Sequence, residues 1–160
     1  MQISQEGIAL IKKFEGCPKN SKGDAVSYRC AANKKTIGFG SLKLIDGSPV
    51  EDDMTITMQE AEELLAHELT EYEGYINEMV ECNLSQNQFD AMVSWVFNLG
   101  PTNLKNSSLL KILNSTHVDW ADIPHQIQRW NKVNGKVNEG LVRRREAEAL
   151  LFEGKEWHEV

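Results

Sequence analysis

Residues 28–40 read YRCAANKKTIGFG, and the reading of this stretch decides the fold. It belongs to a segment, Val26 to Val50, in which short β-type runs are punctuated by Asn33, Gly38, Gly40 and Asp46-Gly47, the last a hairpin turn signal. The segment therefore predicts a small antiparallel sheet. On both sides of it the apolar spacing changes to that of a helix.

Upstream, Ser4 is expected to cap a first helix whose residues Ile8, Leu10, Ile11 and Phe14 form a one-sided stripe. That helix should stop near Gly16, with Pro18 preventing its continuation. Downstream, Thr57 with Glu60 forms a capping box opening a long helix, with an apolar line through Ala61, Leu64, Leu65, Leu69, Tyr72, Ile76, Met79 and Val80. Its other face carries Glu62, Glu63, Glu68, Glu71 and Glu78, read as solvated. Ser85 and Gln88 repeat the box before Phe89, Met92, Val93, Val96 and Phe97, which predicts a buried central helix stopped at Gly100-Pro101. Further helices are expected at Ser107–Leu113, through Trp120, Ile123, Ile127 and Trp130, and over Glu139–Phe152 with Gly154 as stop. Pro124 is either a first-turn residue or a kink. Trp95, Trp120 and Trp130 are read as core. The fold class is α+β and mostly helical: a sheet lobe at about 15–56, joined by the long helix to a helical lobe of about 57–160 plus 1–14.

The length of 160 residues fits one catalytic domain in two lobes. No apolar run approaches the ~20 residues of a membrane span, and the opening Met1-Gln2-Ile3-Ser4 lacks the pattern of an export signal, so neither membrane insertion nor export is expected. The formal charge of −7 argues against nucleic acid as a partner. It is unevenly divided, at +5 over Met1–Lys43, −13 over Leu44–Leu104 and +1 over Lys105–Val160. A site for an anionic partner should be built from the two ends. Cys17, Cys30 and Cys82 match no zinc spacing and the four histidines form no helical pair, so neither a metal nor any other cofactor is expected.

Glu15, before Gly16 and an irregular loop, is a candidate cleft carboxyl because of its company: Tyr28-Arg29-Cys30, five residues, then Thr36-Ile37-Gly38-Phe39-Gly40. With Ser85-Gln86-Asn87-Gln88-Phe89-Asp90-Ala91, Phe97-Asn98-Leu99-Gly100, Trp130 and Gly140-Leu141-Val142-Arg143-Arg144-Arg145 followed by Glu148, Leu151 and Phe152, the chain resembles the phage-type lysozymes, glycoside hydrolase family 24, almost end to end. The resemblance implies a lysozyme-like fold and a catalytic set of Glu15, Cys30 and Thr36. The family usually has eight residues between the first two, whereas this chain has fourteen. Counting eight reaches Asp24, but five more then reach Cys30 rather than a threonine. A six-residue insertion after Glu15, with Cys30 in the site, is the preferred register. Asn33 then stands where the family often has glycine, and asparagine tolerates positive φ best among the alternatives.

Glycosidic cleavage needs a proton for the leaving oxygen and an activated water or nucleophile at the anomeric carbon. Glu15 is the expected general acid, keeping its proton near neutrality where burial or negative charge raises its pKa. Cys30 and Thr36 are expected to hold the water, with a Cys30 thiolate able to take its proton. By resemblance Gly38, Phe39 and Gly40 border the cleft, Asn98 bonds an N-acetyl group or caps its helix, and Arg144 is the arginine paired with Glu15. Ser41 stands where the family often has histidine. The resemblance implies a monomeric endolysin cutting β-1,4 bonds between N-acetylmuramic acid and N-acetylglucosamine in peptidoglycan, held in the host cytoplasm until a holin admits it to the wall. Lytic transglycosylase action and an inactive peptidoglycan-binding role are the alternatives. Retention or inversion stays open, as does a regulatory Cys17–Cys30 disulfide.

Overall fold

The computed structural model describes all 160 residues, whose contacts gather into two units, Glu15–Thr70 and Met1–Phe14 with Glu71–Val160. Helix α1 (Gln5–Glu15) buries Leu10 and Ile11. Ser4 starts it through its carbonyl, which accepts from the Ile8 N–H at 3.0 Å, but not with the expected side-chain cap. The Ser4 hydroxyl donates to the buried Asp90 carboxylate, which also accepts the Ser4 N–H at 2.9 Å. A buried carboxylate must find donors, and the Ser4 hydroxyl is turned to this one instead of to the helix.

In the unit Glu15–Thr70, strands β1 (Ala25–Val26), β2 (Tyr28–Arg29), β3 (Lys35–Thr36) and β4 (Thr55–Ile56) form two separate antiparallel ladders, β1 with β4 and β2 with β3. The expected single sheet is broken for local reasons. Gly38 and Gly40 take φ of +66° and +97°, folding the chain back so that Ile37 and Ser41 already exchange both backbone hydrogen bonds. The Asp46-Gly47 turn forms as read, with the Asp46 carboxylate accepting the Ser48 N–H at 2.9 Å, but its ladder is only a bridge between Lys43 and Pro49, whose outer bond, Val50 N–H on the Leu42 carbonyl, is already stretched to 3.5 Å.

Helix α2 (Met58–Met79) opens on the predicted capping box: the Glu60 N–H donates to the Thr57 hydroxyl at 3.0 Å, and the Glu60 carboxylate accepts the Thr57 N–H at 3.1 Å. Ala61, Leu64, Leu65, Leu69 and Ile76 are buried while Glu62 and Glu63 face solvent. The part of α2 up to Thr70 belongs to the sheet-bearing unit.

In the other unit, α3 (Gln86–Leu99) carries the second capping box and is buried without a break from Phe89 to Val96. Gly100, at φ +86°, ends it, and Pro101 begins a short helix, α4 (Pro101–Lys105), rather than a loop. Proline needs no N–H partner in a first turn, so Gly-Pro makes a corner here. Helix α5 (Ser108–Leu113) is capped by Ser107. The long helix read through Trp120 to Trp130 is instead a 3-10 turn, Trp120–Asp122, and a short α6 (Ile123–Gln128). Pro124 lies in the first turn of α6 and does not kink it. Trp95 is fully buried and meets Trp130 edge-on at 5.4 Å, whereas Trp120, read as core, is 40% exposed.

An unpredicted hairpin, β5 (Lys132–Val133) with β6 (Lys136–Val137), turns on Asn134 and Gly135, both at positive φ. It leads into α7 (Glu139–Phe152), whose cap is Asn138 and whose stop is Gly154 at φ +72°. No helix is long and apolar enough to cross a membrane.

Candidate active site

Glu15 is the last residue of α1, and Gly16 behind it takes φ +67°, which ends the helix and turns the chain away. Its Oε2 lies 3.5 Å from where a Cβ on Gly40 would stand. The bare Gly40 backbone thus leaves room beside the carboxylate that a larger residue would reduce.

The β2–β3 hairpin presents the other candidates. Tyr28 faces Thr36 across the ladder, and Cys30, two residues after Tyr28, shares its side of the strand. The turn is closed by the Cys30 N–H on the Lys34 carbonyl at 3.0 Å and the Asn33 N–H on the Cys30 carbonyl at 2.8 Å, with Asn33 at φ +61°. Arg29 holds this turn from outside, its Nη1 donating to the Asn33 carbonyl at 3.1 Å and its Nη2 lying 3.4 Å from Asp52.

Thr36 is only 1% exposed, and its hydroxyl donates to the Lys34 carbonyl at 2.8 Å. The backbone N–H of Lys34, and next the Thr36 hydroxyl, hold the Cys30 thiol below its ordinary pKa by bonding to its anion. That hydroxyl has one hydrogen for two acceptors. Bonding to the thiolate requires it to leave the Lys34 carbonyl, which keeps the Cys30 N–H. Burial, and then the negative charge of Glu15, Cys17 and Cys30, push Tyr28 above its ordinary value. The phenol therefore stays neutral, a donor within electrostatic reach of all three.

Asp24 lies on a different turn. Its N–H donates to Asn20 Oδ1 at 3.1 Å and its carbonyl accepts the Asn20 N–H at 2.9 Å, at the tip closed by the Lys19–Ala25 bridge. Gly38 and Phe39 are buried, Phe39 at 4% exposure, so in this stretch Gly40 is the exposed residue and Ser41 is covered again.

Asn98 and Arg144 belong to the other unit. Asn98 is exposed near the end of α3, and because Gly100 is the cap it has no capping duty. Its Oδ1 accepts from Arg145 Nη2 at 2.8 Å. Arg143 is exposed, but Arg144 and Arg145 are buried around Glu148. Arg144 Nε is 3.3 Å from Glu148 Oε2, and Arg144 Nη2 donates to the Ser94 carbonyl at 3.3 Å. The sequence reading passed over Ser94 and gave Glu148 no role. For Ser94 there is a signal, a serine inside the apolar run Met92–Val96; Glu148, three and four residues after two arginines, reads equally as part of a solvated face. No group of three histidine, cysteine or acidic side chains is placed to hold a metal ion.

Residues 12–148 match the family model described as phage lysozyme. The endolysin of Bacillus phage PZA is 40% identical over 156 residues, covering 95% of this chain. The chain spans 55% of that protein, about half its length. The endolysin of Salmonella phage P22 is 35% identical, over 95% of this chain and 98% of its own. Among solved structures, an endolysin from the Escherichia coli O157:H7 phage FAHEc1 superposes with a TM-score of 0.83 at 33% identity, covering 95% of this chain and 93% of that one.

Proposed function

Since the chain belongs to the phage lysozyme family, we propose that it hydrolyses the β-1,4 bonds between N-acetylmuramic acid and N-acetylglucosamine in bacterial peptidoglycan, lysing the host for phage release. The observation that carries this reading is the shared hairpin face of Tyr28, Cys30 and Thr36, with Tyr28 in the field of Glu15. Glu15 is the general acid, giving its proton to the leaving glycosidic oxygen. A water at the anomeric carbon is held between the Thr36 hydroxyl and the Cys30 sulfur. While the Thr36 hydrogen points to the Lys34 carbonyl, the oxygen's lone pairs are free to accept a hydrogen of that water. A Cys30 thiolate, favoured in this arrangement by the Lys34 N–H, takes the water's proton as the new C–O bond forms. Asn98 and Arg144, and the backbone around Gly38 and Phe39, are assigned to substrate binding. No cofactor enters this chemistry.

Turbidity loss of permeabilised Gram-negative cells tests the reading. Glu15→Gln keeps the shape of the side chain but has no proton to give, so the rate should fall about 10²–10⁴-fold. Lysis by Glu15→Gln at the wild-type rate would sink it. Mass spectrometry of the fragments separates hydrolysis from transglycosylase action, since only the former leaves reducing ends. Passage to the wall is assigned to a holin and the working form to a monomer. Cells expressing the chain without a holin should stay intact until their membrane is opened with chloroform.

A further inference from the structure

From Leu44 to Leu104 the chain has no lysine or arginine, and the first part of this stretch folds within the unit Glu15–Thr70. The Asp46-Gly47 turn, across which the Leu44 N–H donates to the Ser48 carbonyl at 2.9 Å, stands beside the first turns of α2. Between them runs a groove of about 320 Å³ with an apolar lining of Leu44, Ile45, Ile56 and Leu64. Ile45 is 51% exposed, an aliphatic side chain left in water at an apolar groove. The exposed Asp46, Glu60 and Glu63 complete the lining. Each of these carboxylates is held by neutral groups and not by a cation. Asp46 accepts the Ser48 hydroxyl at 2.6 Å and the Ser48 N–H at 2.9 Å, which together hold its carboxyl below the usual range. Glu60 accepts the Thr57 N–H at 3.1 Å, and Glu63 accepts from Gln59 Nε2 at 3.2 Å. Arg29 and Lys35 pair elsewhere, with Asp52 and Glu51, and Lys43, although next to Leu44 in the chain, does not line the groove.

We propose that this groove docks a cationic peptide segment of a partner protein, with an aliphatic or aromatic side chain seated on Leu44, Ile45, Ile56 and Leu64 and flanking lysines or arginines meeting Asp46, Glu60 and Glu63. The volume is at the small end of the roughly 300–1,000 Å³ typical of ligand pockets, so it takes an anchoring side chain and not the face of a helix. Apolar contact supplies the affinity. The unpaired carboxylates supply the choice of partner, since an acidic segment would bring like charge against them. A bilayer with anionic headgroups meets the same three charges and is repelled. A second copy of this chain has the β5–β6 hairpin to offer, where Val133 and Val137 are exposed beside Lys132 and Lys136. Each face of that short ladder carries one valine and one lysine, a single charge against three carboxylates. Docking here requires none of the bond-cleaving chemistry assigned above.

The probe is a synthetic peptide in which Leu-Phe is flanked on each side by two lysines, titrated at low salt into the isotope-labelled protein and followed by amide chemical shifts. Saturable shifts should centre on Leu44–Asp46, Ile56 and Glu60–Leu64. Ile45→Ser, at an exposed position whose change costs the fold little, should weaken binding about tenfold or more. Glu63→Gln should weaken it a few fold. Glu78→Gln, on the same helix but outside the groove, should not weaken it. Peptides with serines in place of Leu-Phe, or glutamates in place of the lysines, should each bind about tenfold or more weakly than the probe. No saturable binding, shifts spread along the acidic face of α2, or equal losses in Glu63→Gln and Glu78→Gln would mean diffuse charge attraction and overturn the proposal. Two further outcomes would overturn it by naming another occupant. Self-association in sedimentation velocity that Ile45→Ser abolishes would make the occupant a second copy. Cosedimentation with vesicles of phosphatidylglycerol and phosphatidylcholine, lost in Ile45→Ser, would make it a lipid surface.

Discussion

At the scale of single residues, the hairpin turn tunes a thiol. Cys30 is partly exposed and its anion is bonded by the Lys34 N–H and the Thr36 hydroxyl, whereas burial pushes Cys82 above its ordinary value. Alkylation follows the thiolate, so at neutral pH iodoacetamide should modify Cys30 well before Cys82, with its rate–pH midpoint below that of a free thiol. Thr36→Val removes one donor and should move that midpoint upward. It also removes the proposed holder of the water, so lysis should slow about 10²-fold or more. An unchanged midpoint would show that the Lys34 N–H alone sets the thiol. The Asn20–Asp24 turn makes a second prediction at this scale. Cys30→Ala should cripple lysis and Asp24→Asn, on a different turn, should not. The reverse order would restore the eight-residue spacing.

At the scale of elements, a sequence is legible where one residue type answers one local demand. Thr57 with Glu60 and Ser85 with Gln88 are such cases, since the reciprocal bonds need only the spacing, and both boxes form. Asn33 is another. Ser4 misled because a serine before a helix is also a donor to anything nearby, and what lies nearby, Asp90, is 86 residues away in sequence. The β5–β6 hairpin was missed although Asn134-Gly135 is a strong turn signal, because its strands are too short for any alternation to register. Glu148 was not legible as part of a site: a glutamate after arginines on a helix ordinarily marks a solvated face, and only the packing of α7 on α3 buries it.

Gly7 on α1 shows the same dependence on packing, with a measurable sign. By propensity alone Gly→Ala in a helix stabilises by roughly 1 kcal/mol. Here a Cβ would stand 2.6 Å from Ile3 Cγ1 and 2.8 Å from Asp90 Cβ, closer than carbon atoms approach without displacement. The clash should win, and Gly7→Ala should destabilise by about 1–3 kcal/mol in urea unfolding. Gly74, in α2 with nothing within 4 Å of its built Cβ, is the control and should gain stability on the same change.

At the scale of the whole molecule, if peptidoglycan is the substrate as proposed, the charge of −7 should govern encounter with a wall that is itself an anionic polymer. The division along the chain assigns the excess acid to Leu44–Leu104, where it includes the exposed Glu62, Glu63, Glu71 and Glu78 on α2. Glu15, Cys30 and Thr36 all lie in the opening segment of +5, and Arg143 to Arg145 lie in the closing one. Long-range repulsion and a locally favourable site have different reach. The Debye length is about 30 Å at 0.01 M salt and about 10 Å at 0.1 M, so added salt removes the distant repulsion first and leaves contacts within the site nearly intact. Lytic rate on permeabilised cells should therefore rise as sodium chloride goes from about 0.01 to about 0.1 M, through a faster approach to the wall rather than a change in the bond-breaking step. Neutralising Glu62, Glu63, Glu71 and Glu78 together as glutamines should raise the low-salt rate and flatten the salt response. A rate that instead falls steadily with salt would mean that the basic segments dominate the encounter.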